Sequence, residues 1–236
     1  MEQEPKAARD GGLVDVTKKE IQAKPEGARS VFSLGCKGAK SDVLSSAASV
    51  FTEKGVEETT VQDLLEAANV SRRTFYKYFK NKVDVLESIY EVQAELMLSQ
   101  FQQQQRESDS MPDFIVRCVD LYLGYHVKIG PLLRMMMEEA RKTDSPLAVH
   151  RQVLLDHIVG LLDKKYKELE GVHLNKKVFY ALIWMLESVS MNILSQLPCS
   201  DEELNEYKET MFAIASRIVL PNSSKWSDIP DLPITP

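Results

Sequence analysis

The chain has 236 residues, 44% of them hydrophobic and 27% charged, with a net charge of −6, which is enough length and apolar content for a small domain plus a larger one around a sizeable core. No apolar run follows a basic start and no segment approaches about 18 uninterrupted apolar residues, so a secretory leader and a membrane span are not expected, and a soluble cytoplasmic protein is. Cys36, Cys118 and Cys199 lie far apart without any C-x-x-C spacing, which suits reduced thiols and argues against a zinc site.

Residues 1–37 mix Lys, Glu, Gly and Ala without a sustained apolar face and read as a disordered extension, in which Cys36 is incidental. From Ser41 to Glu53 the apolar residues Val43, Leu44, Ala47, Ala48, Val50 and Phe51 recur at helical spacing, and Gly55 follows as a C-cap. Thr60 is followed three residues later by Asp63, a capping signal, before Val61, Leu64, Leu65 and Ala68 fall on one face of a short second helix. Asn69 tolerates the left-handed backbone that ends a helix. Ser71 then caps a third helix, which buries Phe75 and Phe79 and turns Arg72, Arg73, Tyr76 and Lys77 elsewhere.

The window from Ser71 to Lys82 carries Arg72, Arg73, Lys77, Lys80 and Lys82, interleaved with aromatic and hydroxyl groups and without an acid. Its +5 sits in a chain whose other residues sum to −11. A compact cationic patch of this kind is the footprint of a surface that meets phosphates and base edges, although a basic run on a helix is by default a solvated face. Two short helices joined by a tight turn make a helix-turn-helix, whose second helix enters the major groove.

A helix is expected from Asn81 through Leu86, Ile89, Tyr90 and Leu96 toward Gln102, where a Gln-rich segment interrupts the apolar pattern. Further helices start near Pro112, run from Leu132 to Lys142 with Met135, Met136 and Met137, and continue from Pro146 to about Leu169. Leu174 to Gln196 and Asp201 to Ile218 form two last helices with broad apolar stripes. The tail from Pro221 to Pro236 contains four prolines and cannot continue a helix. No alternating strand pattern occurs, so the fold class is all-α. The domain layout is an extension over 1–37, a helix-turn-helix domain over 38–83, a helical regulatory and dimerisation domain over 84–220, and a Pro-rich tail over 221–236.

No catalytic residue is expected: a nucleophile elbow and a phosphate loop are missing, and Glu138-Glu139 reads as a solvated face. His150 and His157 are too far apart for a local pair of metal ligands, so neither a metal nor a cofactor is expected. Tyr122, His126, Met136 and Trp184 are either ordinary core or the lining of an apolar cavity.

The stretch from Leu44 to Leu86, with Ala47-Ala48, Phe51, Gly55, Thr59-Thr60-Val61, Leu64, Ala67, Val70-Ser71, Thr74-Phe75-Tyr76, Tyr78-Phe79 and Lys82, closely resembles the DNA-binding domain of the tetracycline-repressor (TetR) family of bacterial transcription regulators. Asn69 stands where the family usually has Gly, and Arg73 at a position often Gly or Pro in relatives. The resemblance implies a homodimeric regulator, most often a repressor, bound to an inverted-repeat operator and released by a small hydrophobic effector. It places Gln62, Arg72, Arg73, Thr74, Tyr76 and Lys77 near base edges and Thr60, Tyr78 and Lys82 on phosphates. It also implies a dimer interface on the last two helices, where Leu182, Leu186, Val189, Met211 and Ile214 are the candidates. The effector would sit among Tyr122, His126, Met136 and Trp184. The alternative is an interaction protein of the same fold that binds DNA but acts on a protein partner.

Overall fold

A computed structural model describes residues 38–220. The expectations for the extension, for Cys36 and for the Pro-rich tail lie outside these residues. The described residues form nine helices and no strand: α1 (Ala39–Lys54), α2 (Val61–Ala68), α3 (Arg72–Tyr78), α4 (Lys82–Glu107), α5 (Met111–Ile129), α6 (Pro131–Ala140), α7 (Leu147–Glu170), α8 (Lys176–Ser195) and α9 (Asp201–Val219).

Local chemistry sets the boundaries of the first three helices. Gly55 closes α1 at φ 80°, in the left-handed region where a Cβ is strained, and its N–H reaches the Phe51 carbonyl. Thr60 and Asp63 form a reciprocal capping box at the start of α2, and Asn69 ends that helix at φ 51°. The Ser71 hydroxyl accepts from the Thr74 amide at 3.1 Å, which starts α3. The Gln-rich run does not stop α4. Phe101 is buried on it, Gln103 bonds Glu107 one turn on at 2.7 Å, and the helix continues to Glu107.

Two buried clusters organise the molecule. In the first, Val43, Ala47 and Phe51 of α1 pack with Leu64, Phe75, Phe79, Leu86 and Ile89, and the same cluster continues into Leu133, Met136 and Ala140 of α6. The three small helices are therefore seated on both α4 and α6, and complete a core they are too small to build alone. The second cluster fills the space between the lower half of α4 and helices α5, α7, α8 and α9, around Phe101, Phe114, Ile158, Phe179 and Met211.

α8 is the one described helix long and apolar enough to cross a membrane by length and composition, at a mean hydropathy of 1.4. It packs on α5, α6, α7 and α9, yet only 33% of that window is buried within the chain. Its single charged residue between Val178 and Ser195 is Glu187, which is buried and bonded to Arg151 of α7. A helix paired in this way is a core helix whose outer face still lacks a cover.

Candidate nucleic-acid interface and central cavities

α3 presents Arg72 with Tyr76 and Arg73 with Lys77 as two adjacent i, i+4 rows, all four exposed, while Phe75 on the opposite side is fully buried. The backbone spacing thus separates the anchoring ring from the outward rows. Arg72 Nη2 donates to Gln62 Oε1 at 3.2 Å, and Gln62 Nε2 donates to Glu66 at 2.8 Å, so α2 holds the Arg72 guanidinium at the outer edge of α3. Tyr76, 49% exposed, meets the edge of Phe75 at a ring separation of 5.4 Å, which fixes its direction. The Lys77 ammonium lies 5.3 Å from the Tyr78 ring centre, and Thr74 is half-buried with its hydroxyl 2.9 Å from that of Ser71.

Two expected phosphate ligands have other work. Lys82 Nζ donates to the carbonyls of Val56 (2.8 Å), Glu57 (2.7 Å) and Thr59 (2.7 Å), so its three protons hold the α1–α2 loop. The helix start beside it is occupied as well, because Asp84 accepts from the Lys80 amide there. Thr60 gives its hydroxyl and amide protons to Asp63. The hydrogen bonds from Lys54 and Thr60 in turn lower the Asp63 pKa to about 2. Both residues shape the loop that supports the recognition helix, where direct phosphate contact was expected. Tyr78, 39% exposed, and the exposed Lys80 remain at the surface.

Two cavities of about 60 Å³ each lie among the larger helices. The first is lined by apolar groups of α4, α5, α7, α8 and α9, including Phe101, Phe114, Cys118, Ile158 and Leu182. Burial pushes the Cys118 thiol well above its usual range, so it stays protonated. The second is lined by Tyr90, Gln93, Tyr125, His126, Met136, Arg151 and Glu187 among others, and it shares Tyr122, Ile158 and Ile183 with the first. Of the four expected cavity residues, Tyr122, His126 and Met136 come together here. Trp184 does not: it is 53% exposed on the outer face of α8, 5.9 Å from the Tyr180 ring. On a helix that is apolar nearly all round, the sequence pattern leaves the inward phase open, and packing turns Ile183 and Glu187 inward instead.

Sequence reasoning missed the polar groups of this cavity. Glu187 accepts from both Nε and Nη2 of Arg151, the first bond measuring 3.1 Å, and it lies 3.5 Å from Nη2 of Arg141. Tyr125 donates its hydroxyl to Gln93 Oε1. The detectable signal was Glu187 itself, a lone charge inside an apolar helix. His126 is 4% exposed and bonded through Nδ1 to the Ser190 hydroxyl; burial lowers its pKa to about 3.

An unfolded His126 gains a proton below about pH 6.5, whereas the folded one does not until about pH 3. Stability is accordingly full above pH 6.5 and falls with acidification between those values, by up to about 1.4 kcal/mol per pH unit from this group. In urea titrations from pH 7 to 4.5, His126→Asn is expected to flatten that dependence, and an unchanged slope would assign it to other groups.

The dimer candidates also divide. Met211 (3% exposed) is buried in the chain's own core on the side of α9 that packs against α5, whereas Leu182, 9% exposed, belongs to that core and also borders the cleft that α8 and α9 leave open. Leu186, Val189 and Ile214 are half-buried. What α8 and α9 leave open is a cleft lined by Val178, Ala181, Met185 and Ile218, the last 44% exposed.

Residues 43–89 match the family model described as bacterial regulatory proteins, tetR family. No curated protein matches the chain. Among solved structures, the fatty acid degradation regulator FadR from Bacillus halodurans is 19% identical, with a TM-score of 0.66 over 79% of this chain and 98% of its own. The transcriptional regulator FadR from Bacillus subtilis, solved in complex with stearoyl-CoA, is 15% identical, with a TM-score of 0.65 over 77% and 98% respectively. PfmR, a TetR family transcriptional regulator from Thermus thermophilus, is 19% identical, with a TM-score of 0.60 over 78% and 97%. At such identities the likeness to these structures is one of fold.

Proposed function

We propose that this chain, which carries a tetR-family domain at residues 43–89 within a tetR-like all-helical fold, represses transcription as a homodimer on an inverted-repeat operator and is released by a hydrophobic effector. The observation that carries the DNA reading is the outward double row Arg72–Tyr76 and Arg73–Lys77 on a helix anchored from behind by Phe75. Arg72 is suited to a bidentate grip on guanine, Gln62 beside it to adenine, and Tyr78 and Lys80 to the backbone. Two such helices related by dimer symmetry read two half-sites about one helical turn apart. The open cleft between α8 and α9 supplies the apolar face for a second copy, and covering it would complete the burial of α8.

Coupling has a physical route in this reading. The second cavity touches α4 through Tyr90 and Gln93 and α6 through Leu133 and Met136, and both helices seat the DNA-binding unit. Lys142, just beyond α6, also bridges to Glu57 of the α1–α2 loop at 3.4 Å. An occupant that fits only one spacing of α4 and α6 shifts the two heads, and acts through its difference in affinity between the two states.

The experiment is selection of bound duplexes from a random pool, followed by titration of the enriched sequence. An inverted repeat is expected; enrichment of isolated half-sites, or of nothing, would remove the dimeric-operator reading. On the enriched site Arg72→Ala should cost about 1–3 kcal/mol and relax one base position, with little change on random DNA. Lys80→Ala should weaken both equally and reduce the salt slope by about one. Equal losses for the two variants on both DNAs would contradict the division between base and phosphate contacts.

A further inference from the structure

The polar lining of the second cavity narrows the chemistry of the effector, an inference that rests on the effector reading above. Gln93 is 3% exposed on α4, its Oε1 accepts from Tyr125, and its Nε2 has no hydrogen-bond partner among the described residues. A buried N–H donor without an acceptor is costly, and because Gln93 borders the second cavity, an occupant whose acceptor reaches that amide is rewarded. The charged groups on the same wall leave no comparable opening for an anion. Arg151 gives both Nε and Nη2 to Glu187, and Arg141 reaches the same carboxylate at 3.5 Å, so the guanidinium on this wall is already engaged and an acid would have to compete with Glu187 for it. His126 is bonded to Ser190 and held neutral by burial. On the other side of their shared wall of Tyr122, Ile158 and Ile183, the first cavity has a wholly apolar lining.

We propose that the paired cavities take an elongated, uncharged molecule whose carbonyl-type acceptor meets Gln93 Nε2 and whose hydrocarbon tail passes Tyr122 into the apolar cavity: a medium-chain ketone, ester or lactone, and not the corresponding free acid. Burial of the tail supplies the affinity, and the single unmatched donor supplies the selection.

Three probes test this: 2-octanone; 2-methyl-1-octene, which replaces the carbonyl oxygen by a methylene; and octanoate. The ketone and the alkene are compared at equal fractions of aqueous saturation, octanoate at the ketone's concentration at pH 7.5. Thermal stabilisation and calorimetry on the full chain are expected to show the ketone bound about tenfold more tightly than either of the others. Gln93→Leu should erase the gap between ketone and alkene, with Gln93→Met as the second variant if the first is poorly folded. The proposal is overturned if octanoate binds as tightly as the ketone, if the gap survives in the Gln93 variants, or if no probe stabilises the wild type. Operator affinity is measured in parallel. Ketone binding that depends on Gln93 but leaves DNA affinity unchanged would uphold the chemistry of the site and refute the effector role.

Discussion

Ala181→Glu combined with Ile218→Glu is expected to give a folded monomer whose affinity for its operator is lower by roughly a hundredfold or more. Both residues are exposed in the single chain and line the open cleft between α8 and α9, so the substitutions leave the internal core untouched. If this face pairs with its symmetry mate, two carboxylates on it are met by the same two from the other copy, an excess of buried like charge that the single Lys177 of each cleft does not offset. Each head then binds its half-site alone, without the effective concentration that linkage to a second head provides. Sedimentation at micromolar concentration, a thermal melt and titration on the selected operator test each step. A wild type that is already monomeric would sink the dimer reading, and a double variant that still sediments as a dimer would place the interface elsewhere.

The second large effect is expected from Glu187→Ala, which should cost about 3 kcal/mol of stability. Glu187 is 6% exposed and the Arg151 side chain 22%, so removing the carboxylate strands a largely buried guanidinium that has just lost both of its acceptor bonds. The partial exposure of Arg151 lets water relieve some of the penalty, which keeps the figure at the low end for a broken buried pair. Replacing both members by apolar residues, Arg151→Met with Glu187→Leu, is expected to restore most of the loss. Urea unfolding of the single and double variants gives the comparison. A single variant within about 0.5 kcal/mol of wild type would show that Arg151 finds water freely and that the pair contributes little.

The helix-turn-helix and the larger helices differ in how plainly they are written in the chain. The first 50 residues of the described region carry their instructions locally. The Thr60–Asp63 capping box, the left-handed Asn69 at φ 51°, the Ser71 cap and the Phe75–Phe79 spacing each act within a turn or two of sequence. The recognition helix and its outward rows were therefore legible. The bonds of Lys82 were not legible, because the carbonyls that hold it come from residues 23–26 positions earlier, a proximity that only the folded loop creates.

The larger helices show the opposite case. That α8 and α9 are helices with broad apolar stripes follows from residue spacing alone, and so does an all-α fold. Which arc of each stripe faces inward does not. With apolar residues nearly all round α8, a rotation by one position costs the sequence pattern almost nothing, while in the folded chain it decides that Leu182 and Ile183 are core, Trp184 is surface and Ala181 borders an open cleft. The pairing of Arg151 with Glu187, and of Tyr125 with Gln93, joins helices 36 and 32 positions apart. Sequence alone determined the helices, their caps and the outward rows of α3, because these are set by neighbours along the chain. Tertiary structure decided the cavity, its unmatched donor and the free face of α8, because these depend on which sides of distant helices are pressed together.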